Sequence, residues 1–129
     1  MGEGFTVVCT KCGKEQSFYL GVGKLSCHPE YMIEKIPAAR REEIRSLLAQ
    51  SPPPETEHGD RLYACPQCDT LTTRFYVRVA RGSEAIYETS FKCAKCQSPL
   101  VDGSKDVGRY RCRFCGERAL EMSGISNWD

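Results

Sequence analysis

What the sequence lacks sets the first bounds. No apolar run approaches the ~20 residues that a membrane-spanning helix needs, so no such helix is expected. The opening residues, Met1-Gly-Glu-Gly-Phe-Thr6, hold neither a basic segment nor an apolar core, and an export signal is not expected. Catalytic groupings are missing too. There is no Gly-rich phosphate loop, no His-Glu zinc motif and no Ser-His-Asp set, so the chain does not read as an enzyme. Charge is nearly balanced, with 18 basic and 17 acidic residues. That balance withholds the broad basic footprint of a duplex-binding protein. Apolar content is modest, at 40% of 129 residues. Two lobes of about 60 residues each would be marginal on apolar burial alone.

Cysteine is what the chain has in excess. Eight of its nine cysteines form four Cys-x-x-Cys knuckles: Cys9/Cys12, Cys65/Cys68, Cys93/Cys96 and Cys112/Cys115. Two intervening residues let a tight turn aim both sulfurs at one point, and a tetrahedral ion takes the sulfurs of two such turns. These eight cysteines are therefore the candidate metal ligands, four to each of two ions. A secreted disulfide framework would not require the spacing, and thiols reserved for metal imply a reducing, cytoplasmic compartment. Metal also supplies what small lobes lack, since Zn²⁺ contributes on the order of 10–16 kcal/mol of folding free energy in finger peptides. Eight thiolates and two Zn²⁺ would move the formal charge from +1 to about −3.

Three pairings of the knuckles are possible. Fifteen residues separate Cys96 from Cys112, within the spacing of about 15–20 for two Cys-x-x-Cys pairs sharing a zinc. Local spacing thus favours sequential sites, the first two knuckles together and the last two together. The chain would then divide into a first zinc ribbon over 1–80, with a helical insertion at about 29–50, and a second over 81–129. The rival arrangement joins the second and third knuckles, 24 residues apart, and the first with the fourth.

Cys9-x-x-Cys12-Gly13, Cys65-Pro-x-Cys68 and Cys112-x-x-Cys115-Gly116 resemble the knuckles of the zinc-ribbon and rubredoxin-like group. Cys93-x-x-Cys96-Gln97 departs from them in lacking the glycine. The whole chain is similar to small uncharacterised bacterial proteins with paired ribbons, Leu20-Gly-Val-Gly23 after the first knuckle and a terminal Trp128-Asp129. The resemblance implies a small, metal-stabilised, mainly β fold with two four-cysteine sites, and it implies no activity. Four sulfurs suit zinc or a rubredoxin-type single iron. Rubredoxins usually place an aromatic residue after the knuckle glycine, where this chain has Lys14 and Glu117, so zinc is expected over iron.

Between the knuckles, period-two alternation and turn residues predict a hairpin over 1–28, with Gly13 at a position of positive φ, and strands from Leu62 and Leu71 onward. Residues 29–50 read as helical, with Pro37 opening a second helix and Ile36, Ile44, Leu47 and Leu48 as its apolar stripe. Residues 51–60 read as an exposed acidic linker. Cys27 is expected to be a small buried hydrophobe, His28 to cap a turn, and Trp128 to close the second ribbon.

Three functional readings follow. In the first, a rigid scaffold presents the insertion, which carries four basic and seven acidic residues over 29–60, to a protein partner. In the second, Arg74, Tyr76, Arg78 and Arg81 along one strand, with Arg109, Arg111, Arg113 and Phe114 at the last knuckle, bind nucleic acid. Against this, the knuckle cations would offset thiolate charge. The third is iron-based electron transfer.

Overall fold

The computed structural model describes residues 2–22 and 29–128, without the side chains of 126–128. Cys27 and His28 lie outside the described residues, and so does the side chain of Trp128. Seven strands, two helices and one 3-10 turn follow in order: β1 (Gly2–Cys9), β2 (Glu15–Gly21), α1 (Pro29–Glu34), α2 (Ala38–Leu48), β3 (Glu55–Cys65), β4 (Thr70–Arg81), β5 (Glu84–Glu88), β6 (Val101–Asp102), the turn Val107–Arg109, and β7 (Leu120–Trp128). The sheet is antiparallel, in the order β5-β4-β3-β2-β1-β7, with β6 added against β3.

In β1 the period of two is plain. Phe5, Val7 and Cys9 are buried, while Thr6 and Val8 are half-exposed. Across the knuckle turn Phe5 pairs with Phe18 of β2, ring centroids 5.2 Å apart. Among the described residues the two halves of the sheet are joined at one residue pair, Gly21 with Asp60. Side chains from both halves nonetheless share one core: Phe5, Val7, Phe18 and Leu120 from one, Leu62, Ala64 and Leu71 from the other. Val107 and Tyr110 of the 3-10 segment close it. Gly103 makes that closure possible. A Cβ there would stand 2.8 Å from the Leu62 side chain, and the Gly103 N–H donates to the Leu62 carbonyl at 3.0 Å.

A second core lies at the far end of β4. Met32, Ile33, Ile36 and Ile44 from the helical segment pack on Val77 and Val79. Met32, Ile36 and Ile44 are among the most deeply buried side chains of the chain. Each such burial contributes roughly 1.5–3 kcal/mol. The insertion is thus seated on the sheet through an apolar face and exposes the charged one. The acidic linker of the sequence reading ends early. Glu55–Asp60 form the first half of β3 and pair with residues 75–80 of β4. Glu55, Thr56 and Glu57 remain exposed there, so their polarity costs the strand little.

Candidate metal centres

Four separate stretches of sequence fold into one local geometry. The N–H four residues after each first cysteine donates to that cysteine's carbonyl: Gly13 to Cys9 at 2.8 Å, Asp69 to Cys65 at 2.8 Å, Gln97 to Cys93 at 2.9 Å, Gly116 to Cys112 at 2.8 Å. All four donors have left-handed backbone, with φ of 77°, 57°, 63° and 79°. One residue further on the turn closes as a short hairpin, with N–H bonds from Cys9 to Lys14, Cys93 to Ser98 and Cys112 to Glu117, and with Cys65 paired to Thr70. The missing glycine of the third knuckle therefore leaves its shape unchanged.

The knuckles converge in two tetrads, Cys9, Cys12, Cys112 and Cys115, and Cys65, Cys68, Cys93 and Cys96, with the sulfurs of each within 4.8 Å of one another. This is the rival pairing, and it corrects the sequential one that local spacing favoured. Each tetrad takes two cysteines from residues 1–80 and two from 81–129. Strand pairing is the reason. Antiparallel β1 and β7 meet at Cys9 and Leu120, so the knuckle that follows β1 faces the one that precedes β7. Likewise β6, which follows the third knuckle, lies against Tyr63 and Ala64 at the end of β3, next to the second knuckle, while the Lys92–Pro99 bridge closes the arms of the third knuckle itself.

Sulfur separations of 3.6 Å for Cys9–Cys115, 3.7 Å for Cys12–Cys112, 3.4 Å for Cys65–Cys96 and 3.9 Å for Cys68–Cys93 are far from bonding distance for a disulfide. They fit the edge of about 3.8 Å that follows for a tetrahedron with metal–sulfur bonds of about 2.3 Å. The first cysteine of every knuckle is buried, while Cys12, Cys96 and Cys115 are exposed. Backbone N–H groups already point at sulfur: Cys68 at Cys65, Lys95 at Cys93 and Phe114 at Cys112, at 3.3–3.4 Å.

Without a cation the thiols divide. Donation from the Cys12 backbone, above all, lowers Cys9 to about 7, and a hydrogen bond from the Ser98 side chain lowers Cys96 to about 6. Hydrogen bonding to Cys96, then to Cys65, pushes Cys68 up to about 12. Cys115 rises to about 12 against a backbone hydrogen bond from Glu117, through burial and its three sulfur neighbours. Each tetrad thus holds both a ready thiolate and a firmly protonated thiol. A dication would replace the shared protons.

The two centres touch through Asp69. Its carbonyl accepts from the Arg111 N–H at 2.7 Å, and its carboxylate accepts from Arg118, whose other nitrogen donates to the Arg109 carbonyl. Sequence reasoning missed Asp69, Ser98 and Arg118. The place of Asp69 directly after Cys68, where two other knuckles carry glycine, was the available signal. The basic rows named from sequence are divided by the fold. Arg78 pairs with Glu88, Tyr76 donates to Glu88 beneath the Arg61 guanidinium, and Arg81 bonds Gln50 and the Pro52 carbonyl. Arg74 and Arg113, from different rows, line one cleft.

No protein-family model, curated protein or solved structure compared with the chain matches it. No helix among the described residues is long and apolar enough to cross a membrane.

Proposed function

We propose that both tetrads are closed structural zinc sites and that the chain is a metal-stapled interaction module of the cytoplasm, not an enzyme. One observation carries this: four knuckles of one geometry converge in pairs, at sulfur separations that suit a tetrahedral ion. Four protein sulfurs around an ion leave no position for water or substrate, which supports a structural role. Lys14 and Glu117, where an iron pocket would carry aromatic rings, support zinc. The function then belongs to exposed surface. On the helical insertion, where a protein partner was expected, Arg40 is paired with Glu43, and Arg45 with Glu42 and Glu30.

Elemental analysis of native protein, with thermal unfolding before and after strong chelator, tests the reading. Two zinc ions per chain and loss of the cooperative transition on chelation are expected. A metal-free protein that keeps its transition in chelator would overturn it, and a red, iron-loaded preparation would favour electron transfer.

A further inference from the structure

At the knuckle end Arg118 pairs with the Asp69 carboxylate, but other cations there form no ion pair. Among the described residues Lys11, Lys14, Lys92, Lys95 and Arg113 take part in no ion pair, although the chain forms ion pairs elsewhere. Arg74, Lys95 and Arg113 converge on a cleft of about 120 Å³ between the two centres, together with Thr70 and Thr72. The Thr72 hydroxyl at 2.7 Å and the Thr73 carbonyl at 2.9 Å hold the Arg74 guanidinium. Beside the cleft stands Phe114, on the tip of the fourth knuckle and 51% exposed. The Arg113 guanidinium lies 5.5 Å and the Lys14 ammonium 5.3 Å from its ring centroid.

An exposed ring flanked by unpaired cations, next to a basic cleft, offers a stacking platform and a phosphate seat side by side. Resting on the zinc reading above, we propose that this end binds single-stranded nucleic acid, one backbone phosphate in the Arg74–Lys95–Arg113 cleft and an adjacent base on Phe114. A single strand fits because Phe114 needs an unstacked base, and because the zinc-loaded chain, at about −3, lacks the broad basic footprint of a duplex binder. Cys65 and Cys93 of the second tetrad also line the cleft, and that tetrad, with Zn²⁺ and four thiolates, would carry about −2. Three cations exceed that charge, and backbone N–H groups take up part of it. The cleft is therefore left positive.

The test uses the full zinc-loaded chain, fluorescence anisotropy, labelled oligo(dT) and oligo(U) of roughly 12 nucleotides, the matching duplex and inorganic polyphosphate. Both single strands should bind more tightly than the other two probes. Phe114→Ala should weaken single-strand binding about tenfold and leave polyphosphate unchanged. Arg113→Gln should weaken both and reduce the salt slope by about 0.7, with two zinc ions retained. Absence of single-strand binding at about 50 mM salt by a chain holding two zinc ions would overturn the proposal and leave the scaffold reading intact. So would insensitivity to Phe114→Ala, or preference for polyphosphate. Loss of zinc from Arg113→Gln would assign that cation to the thiolates and overturn it as well.

Discussion

Gln97 stands in the third knuckle where Gly116 stands in the fourth, and both backbones are left-handed, at φ 63° and 79°. A Cβ on Gly116 would meet nothing within 4 Å, so the glycine there answers to conformation and not to space. Gln97→Gly should therefore raise stability by up to about 1 kcal/mol, and Gly116→Ala should lower it by about 1–2 kcal/mol. Denaturant unfolding of the metal-loaded protein measures both. Unchanged midpoints in the two variants would mean that the metal alone sets the turn.

Ligand pairs can be told apart by counting ions. Cys9→Ser with Cys112→Ser should leave one ion bound, because both changes fall in one tetrad. Cys9→Ser with Cys65→Ser should leave none. Sequential pairing would reverse these results, so native mass spectrometry of the two double variants decides.

Ile44 is fully buried against the β4 strand, in a core separate from that beneath the metal centres. Ile44→Ala should cost about 2–5 kcal/mol without changing the metal content. A variant that lost metal together with stability would show the two cores to be one unit.

Metal affinity should fall with pH in two regimes. Cys115 and Cys68, each at about 12, must surrender a proton to the ion at every pH below that value. Cys9 and Cys96 are lowered, so they are thiolates above about 7 and about 6 and add protons to the competition only below those values. The fall of log affinity should therefore steepen below about 7 at the first centre and below about 6 at the second. Zinc-indicator titrations across pH on chains carrying a single intact tetrad give the slopes. A slope that does not change through these values would contradict the assignment.

Tyr76 supplies an alkaline counterpart. Burial first, and then its hydrogen bond to Glu88, raise its pKa from 10.0 to about 12. The folded state keeps the proton longer than the unfolded chain, so this stabilisation is complete below pH 10 and is lost as pH rises toward about 12. Tyr76→Phe should flatten the decline of stability over that interval, measured by denaturant midpoints.

The candidate ligands could be read directly, because Cys-x-x-Cys is a local pattern and the turn it encodes is local as well. The first strand, the β4 strand from Leu71 and the stripe of Ile36 and Ile44 were legible for the same reason, although Tyr76 and Ala80, set by the alternation on the face opposite Val77 and Val79, are buried as well. Partnership between knuckles was not, since it depends on which strands pair across long separations. The decisive strand, β7, was hidden by a bulge. Leu120 and Met122 lie opposite Cys9 and Val7, then the register shifts between Thr6 and Val7 so that Ile125 lies opposite Phe5. The apolar alternation breaks at that shift, and the segment looked like a tail. The first half of β3 was missed because Glu55 and Glu57 resemble linker residues until β4 lies beside them. Which cations stay unpaired could not be read from composition, since Arg78 and Arg113 differ only in whether a carboxylate is folded against them.

The two tetrads close loops of very different length. Cys68 and Cys93 are 25 residues apart, whereas Cys9 and Cys115 are 106 apart. On a ribosome the inner tetrad is complete once the third knuckle emerges, whereas the outer one is complete only with the fourth. On the zinc reading, the nascent protein would be nucleated around one metal before the second site is complete. A chain interrupted in between would carry Cys9 and Cys12 without the other two cysteines of their tetrad.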